Sequence, residues 1–335
     1  MTSRDPPFVS VLTPVYNGEL YLAECIESVL KQTYKNFEYI ILNNCSSDRS
    51  LEIASEYAAA DRRIRVETND ALLPIIANHN HGFRLISKQS KYCKVVSADD
   101  WLFPECLEKL IDVAERHPSV GLVGSYQLSG AGSEWRRWRV KWSEIPYPST
   151  VLSSAEICRS QFIDGMYVFG TPTSLLYRAD LVRKRENFYP NETAEGDTSA
   201  CYQVLQETDF GFVHQVLSYE RIHSRQMSEE SRTLNAYTPS LLGDLIKYGP
   251  TWLSETEMQE RKEAILNNYY DFLAARFLND ADSAFWKYHR KRLADCDQTL
   301  STPRLVRAVC ARLLRQLVNP GRAIQTVLRR FRPKV

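Results

Sequence analysis

Strand-like and helix-like segments alternate through the first hundred residues, and this alternation is the strongest constraint on the fold of the chain. Four short, continuous apolar runs are predicted to form strands: Phe8–Pro14, Phe37–Leu42, Ile64–Val66 and Val95–Val96. Helices are predicted between them, where apolar residues recur three or four positions apart: Leu20–Lys31, Arg49–Ala60 and Leu73–Ser87. The pattern predicts an α/β fold with a mostly parallel sheet flanked by helices. Ligands of such sheets bind at the carboxyl ends of the strands.

Two adjacent carboxylates follow the fourth predicted strand. Asp99 and Asp100 come directly after Ser97 and Ala98, and Pro104 lies a few residues later. Like charges at this spacing repel, so either one carboxyl group stays protonated or a cation neutralises the pair. Oxygen ligands at this position suit Mg²⁺ or Mn²⁺ carrying substrate phosphates. The alternative is that the pair caps the following helix, with Pro104 in its first turn.

Glycine-rich phosphate loops are absent from the sequence. It contains neither G-x-G-x-x-G nor G-x-x-x-x-G-K-[ST], so a ligand at the sheet edge is expected to be bound by side chains and a metal. The eight cysteines form no C-x-x-C pair, which predicts reduced thiols and a cytoplasmic location. The start of the chain has no apolar signal-peptide segment, and no apolar run reaches the length of a membrane span.

Three features in the middle of the chain each allow two interpretations. Arginines and tryptophans alternate in residues 130–142, where a half-exposed strand or a flap beside an anionic site is favoured over a surface that grips nucleic acid. Asp197 begins a predicted helix, either as a plain N-cap or as a functional carboxylate. His223 follows a strand predicted over Val213–Arg221, either as a structural residue or as a ligand.

The last hundred residues are predicted to be helical, and their final segment is strongly basic. The α/β domain is therefore assigned to residues 1–235 and a helical extension to 236–335. Apolar residues in 303–335 recur at helical spacing, and no acidic residue occurs from Arg304 to Val335. Such a segment could lie on an anionic membrane, where each basic residue contributes about 1 kcal/mol. Alternatively, it packs on the rest of the protein with its arginines in solvent. No nucleic acid partner is expected.

Several motifs occur in the order found in one enzyme family. They are the stretches Val9–Glu19, Asn43–Asp48, Asn78–Gly82, Ser97–Asp100, Gly196–Asp197 and Arg221–Ser228. Together they resemble glycosyltransferase family 2, a group of inverting, nucleotide-sugar-dependent enzymes with the GT-A fold, a Rossmann-like sheet flanked by helices. The resemblance implies a nucleotide-sugar half over about 1–104 and an acceptor half over about 105–235.

The resemblance also implies roles for individual residues. Asp197 would be the catalytic base, and a Mn²⁺ or Mg²⁺ ion would be held by Asp99, Asp100 and His223. The residues implied to contact the nucleotide-sugar are Thr13, Pro14, Tyr16, Glu19, Asn44, Asn78, Asn80, Ser97, Ala98, Arg221 and Ser228. The chain departs from the family pattern at a few positions. Asn43, Asn44 and Cys45 stand where acidic residues and a glycine are usual, Ser97 replaces an aspartate, and Gly196 replaces a glutamate.

The implied reaction moves a sugar from a nucleotide-sugar, with UDP-sugars favoured, to an acceptor hydroxyl. The sugar would be a hexose or an N-acetylhexosamine, and the acceptor a glycan or a lipid-linked molecule in polysaccharide, glycolipid or cell-surface glycan synthesis. A lipid-linked acceptor would suit peripheral attachment at the inner face of a membrane. Two alternatives stay open. One is a catalytically silent nucleotide-sugar-binding scaffold, and the other is a nucleotidyltransferase of similar fold, although a glycine-rich Arg-Lys loop after the first strand is missing.

Overall fold

The computed structural model describes residues 5–130, 139–141, 145–148, 150–167, 169–190, 195–223, 233–279 and 281–318. The chain divides into two compact units, residues 1–230 and 231–335. The described part of the first unit is an α/β structure, and the described part of the second unit is helical.

Ten strands form one sheet in the described part of the first unit. The strands are β1 (Val9–Val15), β2 (Phe37–Asn43), β3 (Ile64–Thr68), β4 (Tyr92–Val95), β5 (Trp101–Leu102), β6 (Val120–Gly130), β7 (Arg139–Lys141), β8 (Val151–Leu152), β9 (Leu175–Arg178) and β10 (Asp209–Arg221). The helices of this unit are α1 (Leu22–Leu30), α2 (Ser50–Ala60), α3 (Ile75–Leu85), α4 (Cys106–Arg116), α5 (Ser154–Arg159), α6 (Ala179–Arg183) and α7 (Gly196–Leu205). A short 3-10 turn at 172–174 precedes β9.

Four parallel strands form one half of the sheet. The order across the sheet is β3-β2-β1-β4-β9-β6-β10-β5, with β7 beside β6 and β8 beside β10. Strands β1 to β4 run in the same direction, so their carboxyl ends meet at one edge, where Val15 pairs with Asn43 and Asn43 with Thr68. Strand β9 is antiparallel to both of its neighbours, β4 and β6. The α/β fold predicted from the sequence is confirmed.

Helices cover both faces of β1, which explains its continuous apolar sequence. Val9 and Val11 belong to a core cluster that also contains Ile26 of α1. Leu12 points to the opposite face, because successive side chains alternate along a strand. There α3 approaches so closely that a Cβ on Gly82 would lie 2.7 Å from the Leu12 Cδ2 atom. Glycine at this position lets α3 pack directly on the sheet.

The structure excludes one alternative for the Asp pair and extends one strand beyond its predicted length. The pair does not cap a helix, because the N-cap residue of α4 is Glu105. Instead, the chain after the pair forms β5, which is antiparallel to β10. The apolar run Gly121–Val123 predicts a short strand, whereas β6 spans eleven residues. Strands β7, β9 and β10 all pair with β6, and these long-range partners extend it beyond its apolar start.

The segment rich in arginine and tryptophan is described only in part. Residues 139–141 form β7 on the edge of β6, and Val140 is 49% exposed, which agrees with the predicted half-exposed strand. Trp135, Trp138 and Trp142 lie outside the described residues, and the proposed flap stays a prediction.

The described part of the second unit consists mainly of four helices: α8 (Tyr237–Tyr248), α9 (Glu255–Phe277), α10 (Ser283–Ala294) and α11 (Thr302–Val318). Helix α11 runs parallel to α9. Arg304 pairs with Glu263 and Arg312 with Asp271, and both pairs are 41 positions apart in the chain. Among the described residues, no helix is both long enough and apolar enough to cross a membrane.

The buried imidazole of His289 in α10 predicts that acid destabilises the second unit. The ring is fully buried, and its Nδ1 atom is 2.6 Å from the Tyr269 hydroxyl oxygen. Burial, together with the charges of Arg276 and Arg292, lowers the pKa of His289 from 6.5 to about 4. Between these two pKa values the unfolded chain takes up a proton that the folded chain does not bind, so the free energy of unfolding falls as the pH falls. We expect a loss of about 2 kcal/mol between about pH 7 and pH 5 in urea unfolding of the full chain.

The control for this prediction is His289→Gln, because glutamine does not titrate in this range. The variant is expected to be less stable at neutral pH and to lose this part of the pH dependence. An unchanged slope of unfolding free energy against pH in the variant would contradict the assignment to His289.

Candidate active site

The turn that carries the Asp pair extends directly from β4. The backbone N–H of Val96 donates to the Leu12 carbonyl at 2.9 Å, so the contact with β1 continues past the end of β4. The N–H of Asp100 then donates to the Ser97 carbonyl at 3.0 Å and closes the turn. Ser97 and Asp99 therefore lie at the carboxyl edge of the parallel strands, as the sequence predicts.

Strand β10 brings the second part of the site to this turn. Trp101 in β5 pairs with Tyr219 in β10, and their rings are stacked with centroids 3.7 Å apart. Arg221 ends β10 and His223 follows it. The pairing of β5 with β10 thus carries both residues to the Asp pair, which is more than 100 positions earlier in the chain.

The Asp100 side chain points into the protein. Its Oδ2 atom accepts a hydrogen bond from the Thr173 hydroxyl at 2.6 Å, and its Oδ1 atom accepts from the Arg221 backbone N–H at 3.0 Å. Asp100 is 3% exposed. Burial, together with the neighbouring charge of Asp99, raises its pKa well above the usual value. Asp100 therefore ties the turn to two distant segments of the chain.

The Asp99 side chain points towards His223. The Oδ2 atom of Asp99 lies 3.0 Å from the Nε2 atom of His223, and both side chains remain partly exposed. The His223 ring also packs against Tyr21, with ring centroids 5.1 Å apart. The two side chains form a carboxylate–imidazole pair that an incoming ligand can reach.

Arg221 covers one side of this pair. Its Nε atom donates to the Asp99 carbonyl at 3.1 Å, and a terminal nitrogen pairs with the Glu24 carboxylate. The guanidinium carbon lies 4.3 Å from the Tyr21 ring centroid and 5.1 Å from that of Trp101. Aromatic rings hold the guanidinium by cation–π contacts. A fixed guanidinium beside Asp99 suits an anionic ligand such as a phosphate.

Asp99 and His223 fit two adjacent positions of an octahedral metal site. Neighbouring ligands of an ion with bonds of about 2.1 Å are about 3.0 Å apart, and the two ligand atoms here are 3.0 Å apart. Asp100 uses both oxygens inside the protein. Among the described residues, no group of three or more His, Cys, Asp or Glu side chains could hold a metal ion. The three-residue metal set stays a prediction, and of its members Asp99 and His223 have their ligand atoms beside each other at the partly exposed surface.

The hydroxyl of Thr173 connects the parts of the site, although no sequence motif identifies it. Its Oγ1 atom accepts from the Ser97 backbone N–H at 3.0 Å and donates to Asp100. The ammonium group of Lys94 donates to the Thr173 carbonyl and, at 2.9 Å, to the Leu175 carbonyl. Thr173 and Lys94 are both fully buried. A threonine in the turn before a strand is too common in sequences to reveal this role.

Replacing Thr173 by valine is expected to loosen the site and to lower stability by about 2 kcal/mol, because a buried carboxylate loses a hydrogen-bond donor. The matched control is Thr13→Val. Thr13 is also fully buried, and its hydroxyl lies 3.0 Å from the neutral hydroxyl of Tyr39, so the expected loss is about 1 kcal/mol. Urea unfolding at one fixed pH measures both variants. A smaller loss for Thr173→Val than for Thr13→Val would contradict the role of Asp100 as its partner.

The loops after β1 and β2 are hydrogen-bonded to each other. The Glu19 N–H donates to Asp48 at 3.0 Å, and the Glu19 carboxylate accepts from the Arg49 N–H at 3.2 Å. Tyr16 in the first loop is 52% exposed. The Tyr16 ring is therefore open to a ligand, while Glu19 has a structural task in joining the loops.

Thr13 does not reach the loop surface, although the family resemblance implies a contact with the nucleotide-sugar. Its hydroxyl is buried against Tyr39, so it can act on a ligand only through the position of β1. Pro14, the next residue in β1, and Ala98 in the Asp turn are both partly buried.

A buried amide network lies at the carboxyl ends of β2 and β3. The Asn69 amide nitrogen donates to the side-chain oxygens of Asn44 at 2.7 Å and Asn78 at 2.8 Å. The side-chain oxygen of Asn69 accepts from His81 Nδ1 at 2.6 Å, and the Asn44 oxygen also accepts from the Leu73 N–H at 2.9 Å. Asn69 and His81 were not predicted as site residues. The network holds residues 69–73 beside Asn44 and Asn78.

Asn80 is not part of this network. Its amide nitrogen donates to the Tyr189 carbonyl and its amide oxygen accepts from the Tyr189 N–H, both at 2.9 Å. Since residues two positions apart on a helix point in different directions, Asn78 and Asn80 of α3 cannot share one pocket. The structure therefore does not support the predicted contact between Asn80 and the nucleotide-sugar.

Asp197 lies in the first turn of α7 and is not its N-cap, which is Glu195. Its Oδ1 atom accepts from the Thr198 N–H at 2.8 Å. The amino end of a helix favours the negative charge of a carboxylate. Burial raises the pKa of the neighbouring Glu195. Two carboxyl groups thus lie on either side of Gly196 in the sequence. The last predicted site residue, Ser228, lies outside the described residues.

Residues 10–184 match the family model of glycosyl transferase family 2. The putative glycosyltransferase EpsE of Bacillus subtilis is 39% identical over 153 residues, which are 45% of this chain and 54% of EpsE. An uncharacterised glycosyltransferase of Haemophilus influenzae is 36% identical over 120 residues, 36% of each chain. The alignment thus spans about a third to a half of the length of these curated relatives.

Solved structures of two glycosyltransferases share the fold. Residues 1–349 of S. aureus TarS, in complex with UDP-GlcNAc, align with a TM-score of 0.63 and 16% identity over 87% of this chain and 80% of that chain. The mannosyltransferase PcManGT from Pyrobaculum calidifontis, in complex with GDP-Man and Mn²⁺, has a TM-score of 0.53 and 13% identity over 95% and 83%. These alignments confirm the GT-A fold. Because the family model also matches more than half of the 335 residues, the chain belongs to glycosyltransferase family 2.

Proposed function

We propose that this protein transfers a sugar from a nucleotide-sugar to an acceptor hydroxyl with inversion at the anomeric carbon. The observation that carries the proposal is the cluster of Asp99, His223 and Arg221 at the carboxyl edge of the sheet. A carboxylate–imidazole pair beside a fixed guanidinium suits a diphosphate with a divalent cation. The complexes of TarS with UDP and UDP-GlcNAc and of PcManGT with GDP-Man and Mn²⁺ support a nucleotide-sugar donor.

A UDP-sugar is the favoured donor, because TarS has the higher TM-score of these two neighbours and binds UDP-GlcNAc. The exposed ring of Tyr16 can stack on the base, and Asn44 and Asn78 shape the edge of the base pocket through Asn69. Arg221 orients the diphosphate. Pro14, Ser97, Ala98 and Ser228 stay in the proposed donor site, whereas Thr13, Glu19 and Asn80 support it through other protein groups.

Mn²⁺ or Mg²⁺ is the proposed cofactor. Asp99 and His223 would hold the ion, which would neutralise negative charge on the departing diphosphate. Asp100 and Thr173 keep the Asp99 turn in position.

Asp197 is the proposed general base. Its carboxylate removes the proton from the acceptor hydroxyl as that oxygen forms a bond to the anomeric carbon, and the bond from this carbon to the diphosphate breaks. Attack on the face opposite the diphosphate inverts the configuration. The proposed sugar is a hexose or N-acetylhexosamine, and the proposed acceptor is a glycan or lipid-linked molecule in the synthesis of a polysaccharide, glycolipid or cell-surface glycan.

A thermal-shift panel tests the donor and metal together. UDP-, GDP-, CMP- and dTDP-sugars are each added with and without Mn²⁺, because a ligand that binds only the folded state raises Tm. We expect UDP-sugars to raise Tm only with the metal, and release of UDP during incubation with acceptor glycans to show turnover. Binding without turnover would favour the silent scaffold. No shift with any sugar nucleotide would overturn donor binding.

A further inference from the structure

Helix α11 leaves an apolar strip on the surface of the second unit. The strip consists of Val306, Cys310, Leu313 and Leu314. Val306 is 55%, Leu313 41% and Leu314 60% exposed, and Cys310 is also exposed. At 100° per residue these four side chains lie on one side of the helix. A helix packed on a soluble protein normally buries such a stripe.

Ion pairs with α9 determine which side of α11 faces outward. Arg304 pairs with Glu263 at 2.9 Å, and Arg312 pairs with Asp271 at 3.1 Å. These arginines lie on the side of the helix opposite the apolar strip, and the ion pairs hold them against α9. Leu305 and Val309, which continue the apolar stripe of the sequence, are partly buried. The ion pairs thus divide the stripe into one half that packs inward and one half that stays at the surface.

The charged residues of α11 itself are all arginines. Arg307 borders it on the exposed side of the helix, and the Arg315 side chain is 65% exposed although it pairs with Asp271. From Arg304 to Val335 the sequence contains nine arginines and lysines and no acidic residue. A partner for this surface must therefore accept apolar side chains at its centre and supply negative charge around them.

Exposed apolar side chains bordered by arginines favour one class of partner over the others. A second copy of the chain docked through the same strip would bring arginines against arginines, which is unfavourable. Nucleic acid offers negative charge, but aliphatic side chains gain little from a phosphate backbone. An anionic lipid bilayer offers both, with apolar residues at the acyl boundary and arginines at the headgroups. We infer that the strip formed by Val306, Cys310, Leu313 and Leu314 docks the protein on an anionic membrane surface.

Vesicle flotation with the full chain tests this inference. Vesicles of phosphatidylcholine alone are compared with vesicles that contain about 30% phosphatidylglycerol. We expect the chain to bind the anionic vesicles at least about tenfold more tightly, since several basic residues act together. High salt is expected to weaken this binding, because it screens charge.

Two substitutions separate the apolar and the charged contributions. The double variant Val306→Ser with Leu314→Ser should bind anionic vesicles at least about tenfold less tightly, and Arg307→Gln about fivefold less tightly. Since these side chains are exposed, Tm should not change. The matched control is Leu51→Ser on α2, where the leucine is 40% exposed, and it should bind as the wild type does.

Several results would overturn the inference. Equal binding to neutral and anionic vesicles would remove the role of charge, and unchanged binding of the double variant would remove the role of the strip. A dimer in light scattering that dissociates in the double variant would assign the strip to a second copy. Binding to a homopolymeric RNA that is lost in the double variant, with no vesicle binding, would assign it to nucleic acid.

Discussion

Replacing Asp197 with asparagine is expected to lower kcat by about 10²–10⁴-fold, the range for loss of a general base. Asparagine keeps an oxygen that can accept the Thr198 N–H, the contact that Asp197 makes at 2.8 Å. The first turn of α7 should therefore be retained. Donor binding should not change, because the proposed donor site is built from other residues. Initial rates of UDP release and the donor-induced shift in Tm measure the two effects separately.

Glu195 is the competing base, because it precedes Asp197 by two positions and burial raises its pKa. A raised pKa can suit a general base, so Glu195→Gln is measured in parallel. A larger loss of kcat for Glu195→Gln than for Asp197→Asn would move the role to Glu195. Asp180→Asn, on the surface helix α6, is the matched control and should retain full activity.

Replacing Asp99 with alanine is expected to abolish the metal-dependent shift in Tm with a UDP-sugar and to lower kcat/KM by at least about 10³-fold. Asp99 supplies the carboxylate of the proposed metal pair, 3.0 Å from His223. Without it only one protein ligand remains, and the charge of a bound diphosphate is no longer neutralised. Its side chain is 29% exposed, so the variant should unfold at nearly the wild-type temperature when no ligand is present.

Asp100→Ala is the matched variant. Unlike Asp99→Ala, it should unfold at a clearly lower temperature than the wild type when no ligand is present. The Asp100 carboxylate is buried and bonded to Thr173 and to the Arg221 backbone, so its loss should lower stability by about 2–4 kcal/mol. A metal-dependent shift that survives in Asp99→Ala and disappears in a still-folded Asp100→Ala would make Asp100 the ligand and contradict the metal pair.

Local patterns predicted most of the first half of the fold. The helices α1 to α3 and the strands β1 to β4 were predicted within a few residues, because each has an apolar run or an apolar period of its own. The long strand β6 was predicted only at its apolar start, since β7, β9 and β10 hydrogen-bond to its polar end. The two-residue strand β5 was missed, because it exists only through its pairing with β10.

The site was also predicted only in part, because some of its contacts join segments that are far apart in the chain. Asp99, Arg221 and His223 could be recognised from family motifs, and the structure brings them together. Thr173 and Asn69 were missed because each acts through one buried hydrogen-bonding group, which leaves no motif in the sequence. Such contacts depend on partners that are far away in the chain.

The sequence by itself determined the alternation of strands and helices, the family motifs, and the location of two carboxylates at the end of a parallel strand. These features are local, since they follow from apolar periodicity and from residue types at short spacing. Only the tertiary structure decided that Asp100 turns inward while Asp99 meets His223, 124 positions away. It also decided which half of the α11 stripe is exposed, because ion pairs to α9 set the rotation of that helix. Both outcomes depend on contacts between distant segments, which no local pattern contains.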